Sequence, residues 1–149
     1  MSLFFVDTSA LAKRYLAEVG SAWLQSWIEP QAGNTTLVSE IVVVEMQSLF
    51  ARRVREGLPL NLAASAKLTF LRDIRREYEV IAIKQQQLLM AGQLTEKHAL
   101  RTLDAIHLAA LVQAQSKLTL PITFVSADKN QRNAAATEGF TTDDPNSHP

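Results

Sequence analysis

The chain has 149 residues, no cysteine, and 15 Lys and Arg against 15 Asp and Glu, so its formal net charge at pH 7 is zero. That length fits one domain with a full core, the missing cysteine excludes disulfides and thiolate metal sites, and the neutral balance counts mildly against nucleic-acid binding, which local charge clusters could still supply. With 47% hydrophobic and 20% charged residues the composition is globular rather than disordered. SLFFV is too short for a signal-peptide core and no apolar stretch reaches membrane-spanning length, so a cytoplasmic protein without a membrane partner is expected.

In chain order, residues 3–7 are rich in Phe and Val and predict a strand. A helix follows from Thr8 or Ser9 to about Leu16. A second begins after Ser21 and carries Trp23 and Trp27 one turn apart. Thr35–Val38 predicts a strand, and Ser39 is the expected cap of a helix that runs to about Arg55 and stops before Gly57 and Pro59. Asn61 is the expected cap of a helix through about Arg76. Glu79–Ile83 predicts a strand and Lys84 to about Leu94 a helix. Thr102 is the expected cap of the next helix. Pro121–Ser126 predicts a buried strand, 128–137 a helix, and Phe140–Thr142 a last short strand. The tail DDPNSHP, residues 143–149, is polar and expected to be disordered, leaving 1–142 as the domain. Strands alternating with helices imply a mostly parallel sheet covered on both faces, with ligands beyond the carboxyl ends of the strands.

Acidic residues are placed unusually along this pattern. Asp7 ends the apolar run LFFVD, Glu45 lies inside IVVVEMQSLF, Asp104 lies inside LRTLDAIHLAAL, and Asp128 follows ITFVSAD. Asp7 and Asp128 therefore sit at strand carboxyl ends. At about 100° per residue, Glu45 falls between Ile41 and Leu49, and Asp104 falls beside Leu108 and Leu111, so both point inward. Each could singly be a salt bridge or a cap, and Asp104 could satisfy free N–H groups at its helix start. Ionised carboxylates are rarely buried without partners. Together they suggest one cleft for a divalent cation. Crowded carboxylates take up protons unless a cation neutralises them, and hard oxygen donors suit Mg²⁺ or Mn²⁺. Such ions promote phosphodiester hydrolysis. Thr8, Ser9 and Ser126 stand nearby as polar auxiliaries, with capping the alternative role, above all for Ser9.

These segments resemble a PIN domain, and specifically the toxin nucleases of bacterial VapBC toxin–antitoxin pairs. VDTSAL resembles the first signature, SEIVVVEMQSLFARR the second, RTLDAIHLAAL the third and FVSADKNQRNAAATEGF the fourth, in order and across nearly the whole chain. The resemblance implies a three-layer α/β/α sandwich and a metal-dependent endoribonuclease. It implies Asp7, Glu45, Asp104 and Asp128 as catalytic metal ligands, with Thr8 and Ser126 beside them. It also implies an RNA substrate, an antitoxin partner and a homodimer. Some relatives carry a further acid where this chain has Asn130, which implies a weaker or missing second metal site. A non-catalytic PIN-like module that binds RNA or protein is the alternative. A haloacid-dehalogenase-like phosphatase is disfavoured because Ser9 stands where its second Asp is needed.

Arg52 lies two turns beyond Glu45, about 10 Å along the helix axis, and is a candidate contact for RNA phosphates. Lys13 and Arg14 are further candidates, as are Arg53, Arg55, Arg101 and Lys97, although charge at helix ends is commonly plain solvated surface. His107 is one turn from Asp104 and reads as a structural histidine more readily than as an acid. Trp23 and Trp27 could stack bases, but at helical spacing they read more readily as core.

Overall fold

The computed structural model describes all 149 residues. In chain order it contains β1 (Leu3–Val6), α1 (Thr8–Tyr15), α2 (Ser21–Ile28), β2 (Thr35–Ser39), α3 (Val42–Arg55), α4 (Leu60–Arg76) and β3 (Tyr78–Ile81). Then come α5 (Gln85–Lys97), α6 (Thr102–Ser116), β4 (Ile122–Val125), α7 (Lys129–Thr137) and β5 (Thr141–Asp143). All strand pairs are parallel, in the order β3-β2-β1-β4-β5. Successive strand side chains point to opposite faces. Accordingly Leu3 and Phe5 of β1, Leu37 of β2 and Ile122 and Phe124 of β4 pack against α5, α6 and α7. Val6, Val38 and Val125 face the other way, toward α1–α4. Both faces are apolar because both are covered, which gives the expected three-layer sandwich.

The first three strands run outward from β1 to one edge, and the chain then returns to place β4 on the other side of β1. The strand order reverses between β1 and β4. In open α/β sheets that crevice, beyond the carboxyl ends, is where ligands bind. The Asp7 backbone N–H donates to the Val125 carbonyl at 3.1 Å, joining the two strand ends.

Helix starts depart from the expected caps. The N-cap positions of α3, α4 and α6 are Ile41, Pro59 and Arg101, none with a side-chain cap bond. Ser39 belongs to β2 instead, and Asn61 and Thr102 lie within their helices. The tail also differs from the disordered segment expected. Asp143 closes β5 opposite Val125, and Pro145–Ser147 form a 3-10 turn. The His148 ring stacks on Trp23 at 4.1 Å with a 5° interplanar angle. Gly20 makes room for this tail: its φ is +87°, and a Cβ there would stand 2.2 Å from the Pro145 carbonyl oxygen. Trp27 stacks on Phe4 at 4.0 Å. The two tryptophans thus serve the core and the tail, not base stacking.

A buried polar chain ties α1 to α4 and β3. Tyr15 donates to Asp73 Oδ2 at 3.0 Å and lies 2.5 Å from the Tyr78 hydroxyl, which accepts from Arg14 at 2.6 Å. Tyr15 spends its one proton on Asp73, so Tyr78 must donate to Tyr15. Burial dominates here and pushes the Tyr78 phenol from 10.0 up to about 12, against the opposing pull of Arg14. A raised folded-state value means stability present below pH 10 and lost as pH rises toward 12. Urea denaturation followed across that range should show the loss, and Tyr78→Phe should reduce its pH dependence while costing about 1–3 kcal/mol at neutral pH for the unmade bonds.

Candidate active site

Asp7 is the first residue after β1 and the N-cap of α1. It is 4% exposed, and its carboxylate accepts from the Ala10 N–H at 3.0 Å, from Ser9 at 2.8 Å and from Ser126 at 2.9 Å. Burial still outweighs those donors and the nearby His107, and holds the Asp7 carboxyl above its ordinary range. Ser9 is not a cap. Its hydroxyl donates to Asp7 and accepts from the Ala127 N–H at 3.1 Å, fastening the loop after β1 to the loop after β4. Ser126 is fully buried. Its oxygen accepts from the Asp128 N–H at 3.0 Å, and its hydroxyl lies within donating distance of both Asp7 Oδ2 and Gln131 Oε1, closer to Asp7.

Asp128 follows β4 and caps α7, accepting from the Gln131 N–H at 2.9 Å. Gln131 is itself fully buried and places its Oε1 3.1 Å from Ser126. No reading of the sequence singled out Gln131; a polar residue on the alanine-rich face of a short helix was the available signal. Asn130 is exposed on α7 and does not line the cleft.

Glu45 and Asp104 arrive from helices on opposite faces of the sheet. Glu45, on α3, accepts from Thr8 Oγ1 at 3.0 Å and lies 2.5 Å from His107 Nε2. Burial raises its carboxyl, but the His107 bond and charge and the Thr8 bond together prevail and leave it below the usual range. Asp104, in the first turn of α6, makes no cap. Its nearest cation is Arg101, 3.9 Å away on a side chain that is 89% exposed. Burial and the negative charges of Asp128 and Glu45 push Asp104 up, against Arg101 and His107.

Asp7, Glu45, Asp104 and Asp128 all line a single cleft of about 990 Å³, together with Thr8, Ser9, His107, Arg52 and Arg101. The helical acids are only partly inward: their side chains keep 21% and 24% exposure, the fraction that opens onto the cleft. As they stand, no three acidic or histidine side chains converge to metal-ligand spacing, because Glu45 is drawn toward His107 and Thr8 while Asp7 is drawn toward Ser9 and Ser126. The donor set nonetheless suits a hard cation. It is all oxygen and carries a surplus of negative charge, with the Asp104 carboxylate accepting no hydrogen bond.

Four expected phosphate contacts lie elsewhere. Lys13 is 5% exposed and pairs with Glu18 at 3.3 Å. The Arg14 side chain is 6% exposed and bonds Glu77 at 2.6 Å, Glu29 at 3.1 Å and Tyr78. Arg14 and Arg53 face a separate hollow of about 730 Å³ between α1, α3 and α4, and Lys97 pairs with Glu138 at 3.0 Å. Arg52 and Arg101 are the cations that fit: both line the cleft, with side chains 59% and 89% exposed, and their nearest pairings, with Glu56 and Asp104, are long at 3.9 Å.

Fold and site define a doubly wound α/β domain with an acidic cleft at its switch point. The sequence matches the PIN domain family over residues 4–136, and the chain belongs to that family. It is 28% identical over 145 residues to Ribonuclease VapC47 of Mycobacterium tuberculosis (strain CDC 1551 / Oshkosh), covering 96% of this chain and 97% of that protein. Ribonuclease VapC35 of the same organism is 28% identical over 134 residues, covering 90% of each. Among solved structures, VapBC2 from Rickettsia felis, bound to a promoter DNA fragment, is similar in fold with a TM-score of 0.65 at 13% identity, covering 95% of this chain and 98% of that one. Mycobacterium tuberculosis VapC20, described as a Sarcin-Ricin loop cleaving toxin, has a TM-score of 0.63 at 19% identity, covering 98% and 99%. No helix is long and apolar enough to cross a membrane.

The two arginines on neighbouring surfaces should separate cleanly in denaturation experiments. Arg14→Ala removes the buried donor to Glu77 and Tyr78, while Asp73 keeps Arg72 and Tyr15, and is expected to cost about 1–3 kcal/mol. Arg52→Ala should change stability by no more than about 0.5 kcal/mol.

Proposed function

We propose that this protein is a divalent-metal-dependent endoribonuclease, the toxin of a VapBC-type toxin–antitoxin pair, acting on single-stranded or looped RNA. The observation that carries the reading is the gathering of Asp7, Glu45, Asp104 and Asp128 on one cleft at the switch point, with Asp104 left without a hydrogen-bonding partner. The names of the curated relatives support the ribonuclease assignment, and the toxin–antitoxin structures among the fold neighbours support an antitoxin partner. The same family likeness supports a homodimer.

Asp7, Asp104, Asp128 and Glu45 would hold Mg²⁺ or Mn²⁺. The bound cation would supply Lewis acidity toward the scissile phosphate and an acidified water. The protein's own groups do the rest. Ser9, Ser126 and the Ala10 N–H fix the Asp7 carboxylate, and the Gln131 N–H fixes Asp128. Arg52 on α3 and Arg101 on the opposite wall put positive charge on both lips of an acidic floor. That arrangement draws flanking phosphates to the rim while the repulsive floor excludes them until a cation is present.

A non-catalytic PIN-like module is the second reading, and it draws on the lack of three converged ligands. Cleavage assays decide between them. Chelator, Asp7→Asn and Asp104→Asn should each lower RNA cleavage by about 100-fold or more, the scale of removing one group that acts on transition-state charge. Asn retains the capping ability of Asp7. Because the Asp104 carboxyl is raised in the fold, its ionised form opposes folding at neutral pH, so Asp104→Asn should melt no lower than wild type. Cleavage that persists in chelator would contradict the metal-dependent reading, whereas wild-type protein that binds RNA but cuts none of it with Mg²⁺ or Mn²⁺ present would leave the binding-module reading standing. Arg52→Ala should weaken RNA binding and reduce its salt dependence by roughly one phosphate contact.

A further inference from the structure

Both hydrogen bonds that Glu45 accepts fall on one oxygen. Oε1 takes the Thr8 hydroxyl at 3.0 Å and stands 2.5 Å from His107 Nε2, which leaves Oε2 free. His107 is 2% exposed on a helix otherwise built from Leu and Ala along its buried length. Its Nδ1 is sealed from solvent and has no partner. A buried N–H without an acceptor is costlier than a buried lone pair among apolar groups, so the proton belongs on Nε2 and is donated to Glu45. Packing alone does not account for an imidazole here. Leucine would fill the position without leaving a ring nitrogen unsatisfied.

We propose that His107 is a positioning residue: its Nε2–H, with the Thr8 hydroxyl, pins Oε1 of Glu45 and thereby presents Oε2 to the divalent cation of the cleft. This rests on the metal-dependent reading above. A carboxylate carried on a glutamate has three rotatable bonds between backbone and oxygen, and fixing one oxygen removes most of that freedom before a cation arrives. Outer partners of this kind typically tune metal affinity 10- to 100-fold. The bond crosses the molecule from α6 to α3, so it also sets the distance between the two helical acids from opposite faces of the sheet. In this respect His107 couples Glu45 to Asp104, which lies one turn before it.

Mn²⁺ titration calorimetry on the full chain tests the role. A glutamine at 107 places its amide nitrogen where Nε2 stands; an asparagine reaches only to Nδ1. Both lose the ring, and the asparagine is shorter by one methylene, so Thr8→Val, which leaves position 107 untouched, separates the hydrogen bond from the packing. His107→Gln is expected to bind Mn²⁺ within a few-fold of wild type, and His107→Asn about 10- to 100-fold more weakly. Thr8→Val, which leaves the histidine in place, should weaken binding in the same direction and carries the test should the Asn variant fail to fold. Mn²⁺ bound by wild type and equally well by His107→Asn and Thr8→Val would overturn this inference and leave the nuclease reading intact. Equal weakening in His107→Gln and His107→Asn would reduce the histidine to packing and also overturn it. A wild-type protein that binds no Mn²⁺ would overturn both.

Discussion

The Asp7 N–H donates to the Val125 carbonyl, and this bond holds together the ends of two parallel strands whose onward connections leave toward opposite faces of the sheet. Chain leaving β1 turns into α1 on one side, and chain leaving β4 turns into α7 on the other. The gap between those departures is the only place along the sheet edge where two loops diverge instead of crossing, and it opens the crevice. Asp7 and Asp128, each the first residue or nearly so past its strand, are carried there by backbone geometry alone. Both also cap the helices they precede, so the residues that line the cleft are the ones that start α1 and α7. The fold cannot form without delivering them.

Electrostatics then works against the arrangement. Burial raises Asp7, and burial together with neighbouring negative charge raises Asp104. Hydrogen-bond donors meet the carboxylates at three positions: Ser9, Ser126 and Ala10 at Asp7, Gln131 at Asp128, and His107 with Thr8 at Glu45. At Asp104 no hydrogen-bond donor does, and only the charges of Arg101 and His107 oppose the rise. A half-buried carboxylate among other carboxylates, with only an exposed arginine 3.9 Å away, is a local cost that a structural role does not explain. A cation in the cleft relieves it directly. That cost is the feature on which the proposed metal-dependent phosphodiester chemistry rests.

Much of this was legible from residue order. Apolar runs ending in Asp7 and Asp128 marked strand ends, since a strand buried on both faces is continuous in its hydrophobicity and breaks only at its exit. Helical periodicity put Glu45 on the face that meets the sheet. Other features were illegible for equally physical reasons. Lys13 and Arg14 look like solvated charge at a helix end, and their burial depends on Glu18, Glu77, Tyr78 and Asp73, most of which lie about sixty positions away and which no local pattern connects to them. The caps expected at Ser39, Asn61 and Thr102 failed because Ser39 is drawn into β2 and the other two lie inside their helices, whose first residues follow Ile41, Pro59 and Arg101 without a capping side chain. The polar tail is ordered because β4 offers it an edge and Trp23 a flat surface for His148, neither visible in the tail itself.

Anomalous scattering from Mn²⁺-soaked crystals tests the central claim most directly. If the surplus charge at the switch point exists to hold a cation, a Mn²⁺ peak should appear in the cleft within coordination distance of carboxylates from Asp7, Asp104 and Asp128, and it should vanish in Asp104→Asn. A fully soaked crystal with no peak in the cleft, or with an undiminished peak in Asp104→Asn, would contradict the account.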